Sequence, residues 1–404
     1  MSRSTAPRPL SAPLPPACPL TRRQLLHLGL ALSLGSLSGC QAGSGAPGAT
    51  TTPDPQALLA RGETIASALL LREAQREGTL STIALPRTWV NYGKIIDTFT
   101  ERYGLAYNGL HTDYGSSQEI EAIRAHPEGG ELAPDVVDIG MGYTEPAKAE
   151  GLFAPYKVAT WDTIPDALKD PEGYWYGDYY GVMGFQVSRT NVKNVPQSWE
   201  ELLKPEYKDM IALAGNPNES STAIHAVWAA GLARTGSLDD APAAGIEFFM
   251  ELNRAGNFLP TAYTPETIAS GDTPIVIHWD YVGLGNRDAL QDQIELEVVI
   301  PESSVLGGAY AQAISAYAPH PFAARLWEEF LYSDEGQLLW LEGYTHPVRY
   351  ADLVARNKIP AELAAKLPPA AAYARATFPT VAQTTAATEF VPANWHRVIE
   401  ARPR

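Results

Sequence analysis

Asp135-Val136-Val137-Asp138-Ile139-Gly140 is a short apolar run bounded by acids and closed by glycine. It reads as a strand, and its neighbours decide what kind of sheet it belongs to. Upstream, Leu80-Ser81-Thr82-Ile83-Ala84-Leu85 and the stretch from Ala106 to Tyr114 read as two more strands. Between them Ile95, Ile96, Phe99 and Tyr103 share one helical face, and Gln118 to Ala125 makes a short helix after the second strand. Ala57 to Arg76 precedes all of these with helical periodicity and no breaker except Gly62. Strands alternating with helices predict an α/β sheet. Ligands of such sheets collect on loops at the C-terminal strand edges, which here begin near Trp89, Tyr114 and Gly140.

Downstream, Asp178 to Ser188 is strand-like with two glycines. Pro196 to Leu202 resembles a capped helix start, with Ser198 as N-cap and Glu201 at the third position. Met210 to Ala214 reads as a strand, and Ser220-Ser221-Thr222 opens a helix through Leu232. Ile275-Val276-Ile277-His278-Trp279-Asp280 is a strand ending in polar and aromatic residues, and Leu296 to Ile300 is another, closed by Pro301. Gly307-Gly308-Ala309-Tyr310 leads into an apolar strand through Ala316. Pro321 to Leu331 and Asp334 to Leu341 are helical, and a Pro/Ala-rich tail with weaker helices follows. No internal repeat is present.

The N-terminal region carries a different message. Arg22-Arg23-Gln24-Leu25-Leu26, a short apolar run, and Leu37-Ser38-Gly39-Cys40 have the form of a bacterial export signal of the twin-arginine type. The apolar run is roughly half of the ~20 residues a membrane span needs. The last four residues resemble a lipobox, with Cys40 as the lipidated new N-terminus. Residues 1–39 are therefore expected to be removed, and 40–56, made of Gly, Ala, Ser, Thr and Pro, to act as a flexible tether.

Loss of Arg3, Arg8, Arg22 and Arg23 with the signal reduces the 30 basic residues to 26 against 46 acids, a net charge of −20. So acidic a body repels nucleic acid and anionic lipid. The two cysteines are Cys18 and Cys40, so no disulfide, and no Cys-based zinc motif, remains in the mature chain. Its roughly 365 residues exceed what one core usually serves, since single cores stop growing near ~250–300 residues. Two lobes are expected.

Several motifs now stand in a familiar order. Glu73-Ala74-Gln75-Arg76-Glu77-Gly78 precedes the first strand, Asp135-Val136-Val137-Asp138 lies in the third, and Ser198-Trp199-Glu200-Glu201-Leu202-Leu203-Lys204-Pro205-Glu206-Tyr207-Lys208 opens a second region. The segment from Ala318-Pro319-His320-Pro321 to Asp334-Glu335-Gly336-Gln337 then precedes Pro347-Val348-Arg349. From about Ala57 to Arg349 the chain resembles the extracellular solute-binding proteins of bacterial ABC importers, in the branch serving ferric iron, thiamine, phosphonates and polyamines. The resemblance implies a two-lobed type II periplasmic-binding-protein fold: two mixed sheets flanked by helices and joined by two hinge strands. It places one lobe at 57–183 plus 303–404 and the other at 184–302. The hinge strands fall near Tyr180–Ser188 and Pro301–Gln312. The ligand sits in the cleft, hinge closure buries it, and the closed form docks on permease subunits.

Cleft ligands need convergent polar groups on an aromatic floor. Trp279, Asp280 and Tyr281 offer an aromatic face beside a carboxylate, which suits an ammonium; the alternative is a core Trp with Asp280 capping a helix. Only Tyr281 remains of the tyrosine pair that iron-binding relatives carry near this point. Trp89, Asn91 and Tyr92 follow the first strand. Tyr114, Ser116 and Ser117 follow the second and open a helix, whose free N–H groups suit carboxylate or phosphate, unless Ser116 or Ser117 merely caps it. Ser221 and Thr222 repeat that arrangement. Asp138 ends the third strand, and Tyr179 and Tyr310 lie on the hinge strands. Tyr179 and Tyr180 are adjacent on a strand and point to opposite faces, which disfavours joint metal chelation.

These residues predict binding without catalysis by a lipid-anchored monomer, with a small polar solute as ligand. No metal, cofactor or nucleic-acid partner is expected. An organic cation such as a polyamine ranks first, on Trp279 and Asp280. A phosphonate or phosphorylated compound follows, on the two Ser-rich helix starts, then ferric iron and thiamine. An exported hydrolase is a remote alternative, because no G-x-S-x-G elbow, H-E-x-x-H motif or Walker-type loop is present.

Overall fold

The computed structural model describes residues 55–367, 373 and 375–401. The export signal, Cys40 and all but the end of the expected tether lie outside the described residues. That end, Pro55-Gln56, is already the first turn of a helix, Pro55–Leu59.

Twelve strands form one curled mixed arrangement: β1 (Thr79–Ile83), β2 (Ala106–Leu110), β3 (Val136–Gly140), β4 (Phe153–Ala154), β5 (Tyr176–Ser188), β6 (Ile211–Leu213), β7 (Phe258–Leu259), β8 (Ile275–Trp279), β9 (Leu296–Val299), β10 (Val305–Ser315), β11 (His346–Pro347) and β12 (Ala376–Thr377). The order is β2-β1-β3-β10-β5-β8-β6-β7. Parallel pairs β1/β2 and β1/β3 build the first lobe, and parallel pairs β6/β8 and β6/β7 build the second. In each set a helix follows the strand, as a parallel connection requires.

The two halves share β5. Its first part, Tyr176 to Val182, pairs antiparallel with β10 in the first lobe, and Met183 to Ser188 pairs with β8 and β9 in the second. β10 brings the chain back and lies antiparallel to both β3 and β5. This is the type II arrangement of two mixed sheets, helices outside and two connecting strands.

Burial explains the local choices. β3 is buried throughout, so its apolar run has no polar face to show. In the helix Tyr92–Tyr103 the buried positions are Tyr92, Ile95, Ile96 and Phe99, one helical stripe. In Ser221–Thr235 every residue from Ser221 to Leu232 is buried. That helix crosses Ala241–Arg254 through two glycines: a Cβ on Gly231 would lie 1.8 Å from the Ala241 carbonyl oxygen, and one on Gly245 2.0 Å from that of Val227.

Three sequence expectations change. The helix expected over Ala57–Arg76 is two, Pro55–Leu59 and Ser67–Glu77, because Gly62 turns the backbone to φ +64°. At Ser198 the cap forms only in part: Glu201 N–H reaches Ser198 Oγ at 3.4 Å, but Glu201 Oε2 accepts the N–H of Gln197, at 2.7 Å, instead of that of Ser198. It opens only a 3₁₀ turn, Glu200–Leu203, because Pro205 stops the helix one turn later. The tail expected to hold weak helices ends in a 20-residue one, Val381–Glu400, capped by Thr380. Among the described residues no helix is long and apolar enough to cross a membrane.

Candidate ligand cleft

A cavity of about 300 Å³ lies between the lobes. The first lobe supplies Ala84, Pro86 and Trp89 from the loop after β1, Thr112 to Ser116 after β2, Gln118 and Glu119, and Asp138 on β3. The second supplies Ala214 to Asn216 after β6, Glu219 to Thr222, and His278 on β8. Tyr310 of β10 closes the floor.

Two helices begin at this cavity. The helix Ser116–Ala125 has Gly115 as N-cap, whose N–H is held by Gln118 Oε1 at 2.9 Å. The helix Ser221–Thr235 has Ser220 as N-cap, its Oγ accepting from the Ala223 N–H at 3.3 Å. First-turn N–H groups have no partner inside a helix, and Ser116 on one side, with Ser221 and Thr222 on the other, brings such groups to the cavity wall, the Ser116 Oγ also accepting the Gly140 N–H at 3.1 Å. The two starts touch. Ser117 Oγ donates to the Glu219 carbonyl at 3.3 Å, and a Cβ on Gly140 would lie 2.0 Å from Ser221 Oγ. The lobes are closed on each other.

Beneath the first start Asp138 is held in place. Its Oδ2 accepts from Tyr92 OH at 2.9 Å and Tyr179 OH at 2.8 Å. Tyr179 OH accepts in turn from Trp89 Nε1–H at 2.7 Å. Gln312 Nε2 donates to Tyr92 OH and to Asp178 Oδ2, both at 3.0 Å. Burial pushes Asp138 up to about 6 and raises Asp178 well above the ordinary carboxylate range, the latter also through the Asp138 charge. Two neighbouring buried carboxyls resist carrying two charges. Glu119, raised by burial and by Asp138, accepts the Asp138 N–H at 3.2 Å.

The second start rests on aromatics. Thr222 Oγ1 meets Tyr310 OH at 2.9 Å and accepts Trp279 Nε1–H at 3.1 Å. His278 Nδ1 accepts the Trp279 N–H at 2.7 Å, and burial pulls the imidazole down to about 3. It is neutral at ordinary pH and carries its proton on Nε2. Among the described residues no Lys or Arg side chain lines the cavity. Among the described residues no group of three or more His, Cys, Asp or Glu is placed to hold a metal ion.

Of the residues singled out in the sequence, Trp89, Tyr114, Ser116, Asp138, Ser221, Thr222 and Tyr310 line the cavity. Tyr92 and Tyr179 stand behind Asp138, and Ser117 bridges the lobes at the edge. Asn91 turns away: at φ +68° it ends the loop and donates to the Leu339 carbonyl at 2.7 Å. The larger correction concerns Trp279, Asp280 and Tyr281, none of which lines the cavity. Trp279 and Tyr281 stack in the core 6.0 Å apart. Asp280 begins the helix Asp280–Ala289, accepts the Val182 N–H at 2.9 Å and takes Tyr373 OH at 2.5 Å. Both of its carboxylate oxygens are thus engaged within the fold, away from the cavity. The sequence reading missed Thr112, Asp113, Gln118, Glu119, Ala214 to Asn216 and His278.

The model of the family described as bacterial extracellular solute-binding protein matches residues 133–375. An uncharacterized protein of Haemophilus influenzae is 26% identical over 267 residues, 61% of this chain and 70% of its own length. Among solved structures, the periplasmic binding protein AfuA of Actinobacillus pleuropneumoniae, with fructose-6-phosphate bound, is similar at TM-score 0.62 and 20% identity, over 80% of this chain and 98% of that one. A spermidine/putrescine ABC transporter substrate-binding protein of Streptococcus pneumoniae is similar at TM-score 0.54 and 16% identity, over 79% and 99%. The chain therefore belongs to the bacterial extracellular solute-binding protein family.

Proposed function

We propose that this protein captures a phosphorylated or phosphonate-bearing small molecule between its lobes and delivers it unchanged to an ABC permease. The observation that carries the reading is the pair of helix starts, Ser116–Ser117 and Ser221–Thr222, at one cavity between the lobes. Each offers free N–H groups, a hydroxyl and the positive end of a helix dipole. An anion at that point bridges the lobes and favours the closed form. The fructose-6-phosphate in the Actinobacillus protein is concordant with this chemistry.

A second reading rests on a different observation. Asp113, Glu119, Asp138 and Glu219 line the cavity, no Lys or Arg among the described residues does, and Trp89 adds an aromatic face. That set suits an organic cation, although the residues first expected to hold one, Trp279 and Asp280, are committed elsewhere.

Thermal shift separates the two. Fructose-6-phosphate, simple alkyl phosphates and phosphonates are expected to raise Tm, with about 2.7 kcal/mol of stabilisation when ligand stands at a hundred times its Kd. Ser116→Ala and Ser221→Ala are each expected to weaken that binding roughly tenfold, the loss of one hydrogen bond to a charged group. Stabilisation by spermidine, with none by any phosphate or phosphonate, would replace this reading with the second.

A further inference from the structure

The chain beyond β11 is used to tie the lobes together. Arg349, buried at the end of β11, fixes its start to the first lobe through Asp334, Asp352 and the Tyr332 carbonyl. β12 then pairs with Val305-Leu306 at the start of β10, and Tyr373 reaches Asp280. The last helix, Val381–Glu400, packs on both lobes: on the helices Ser221–Thr235 and Ala241–Arg254 of the second, and on the 3₁₀ turn Met141–Tyr143 of the first.

The two contacts differ in kind. Against the second lobe the helix buries Val391, Trp395 and Val398, with Trp395 packed on Phe249 and Phe258 at 5.7 and 5.9 Å between centroids. Asn253 Nδ2 donates to the Val398 carbonyl at 2.7 Å, and Arg397 pairs with Glu247 at 2.5 Å. Against the first lobe the helix meets the turn Met141–Tyr143 and the helix Thr144–Ala149, and Thr384 and Thr388 sit over Gly142, where a Cβ would lie 2.1 Å from Thr388 Oγ1 and 2.9 Å from the Thr384 carbonyl oxygen; Gln383 Nε2 at the same end donates to Asp239 Oδ1 of the second lobe at 2.8 Å. Beside that contact an open groove of about 620 Å³ is lined by Val381, Ala382 and Thr385 of the helix and by Glu145 and Trp175 of the first lobe. Pro392 interrupts the helix between the Thr388 contact and Trp395, removing the N–H that would bond the Thr388 carbonyl.

We propose that Val381–Glu400 is a catch: it travels with the second lobe, seats Thr384 and Thr388 on Gly142 when the lobes shut, and biases the empty clamp toward closure. The apolar, hydrogen-bonded contact stays made, and the seat on Gly142 parts. This does not depend on which solute is bound, so it can fail while the proposed function stands, and the reverse.

The test uses ligand-free protein. Gly142→Leu fills the seat without touching the cavity lining. Small-angle scattering is expected to show a larger maximum dimension for Gly142→Leu than for the unsubstituted chain, and Thr388→Lys, which blocks the seat from the other side, should do the same. Superimposable profiles for a folded variant would overturn the proposal. Hydrogen exchange on the unsubstituted protein gives a reading that needs no variant. Amides of residues 384–388 should exchange about tenfold faster than those of 395–400, because opening frees only the segment seated on Gly142. Equal protection of both segments would count equally against the catch.

Discussion

The two helix starts at the cavity are built alike at the backbone and unlike in their support. The first, Gly115 to Ser117, opens a surface helix whose buried positions are Ser116, Glu119, Ile120 and Ile123, with solvent on the other side. Its floor is polar: Asp138 with the two tyrosines that hold it, and Glu119 on the Asp138 N–H. The second, Ser220 to Thr222, opens a helix buried through Leu232 and rests on Trp279, Tyr281 and Tyr310. An aromatic floor fixes position by packing, whereas a network of hydroxyls and carboxyls fixes it by hydrogen bonds that depend on protonation. The second wall is thus an anvil, and the first is adjustable.

Three measurements probe that contrast. Trp279→Ala removes the anvil's main support and is expected to cost about 3–5 kcal/mol in urea unfolding, as aromatic deletions in cores do. A loss under about 1 kcal/mol would mean the second wall does not depend on its floor. Gly140→Val acts only where the walls meet. Gly140 is extended, at φ −60° and ψ 140°, so valine suits its own strand end, but the new side chain strikes Ser221 across the cleft. Affinity for the stabilising ligand should fall roughly a hundredfold, the fraction of closed form being what binds, with little change in ligand-free melting. Unchanged affinity would show that the bound state does not bring the walls together.

The smallest effect is in pH. His278 titrates at about 3 in the folded chain, below its ordinary 6.5, so the unfolded chain takes up a proton first and stability falls as pH drops below 6.5. Asp138, raised by burial to about 6, has the opposite sign: its contribution grows as pH falls through 6 toward 4. His278→Gln should therefore abolish about 2 kcal/mol of the loss between pH 7 and pH 5, a 1.5-unit span below 6.5 at 1.36 kcal/mol per unit. An unaltered pH slope would mean His278 is not neutral in the fold.

The strand and helix order was legible because each element carries its own period. The loops after β1, β2 and β3 could be assigned to the ligand side on that basis. The same rule applied to β6 would have found Ala214 to Asn216. What sequence could not show is direction. Trp279 and Tyr281 look like an aromatic floor, and they are one, but they face the core behind Thr222 instead of the cavity. Asp280 looked free until a tyrosine 93 positions away arrived to occupy it. Serines at helix starts are ambiguous by nature, since the same hydroxyl caps a helix or meets a ligand. Only the opposed placement of two such starts distinguishes the uses, and that placement depends on contacts between distant parts of the chain.

β5 belongs to both sheets, and β10 lies between β3 and β5 although 164 residues of chain separate the end of β3 from its own start. During synthesis the first sheet is consequently left with a gap at its centre until the whole second lobe has emerged. Its middle strand comes late, from a distant stretch, and long-range pairing of that sort is slow. The half-made sheet must wait with two apolar edges bare, which makes keeping the chain from sticking to itself a requirement of its biogenesis as much as of its final shape.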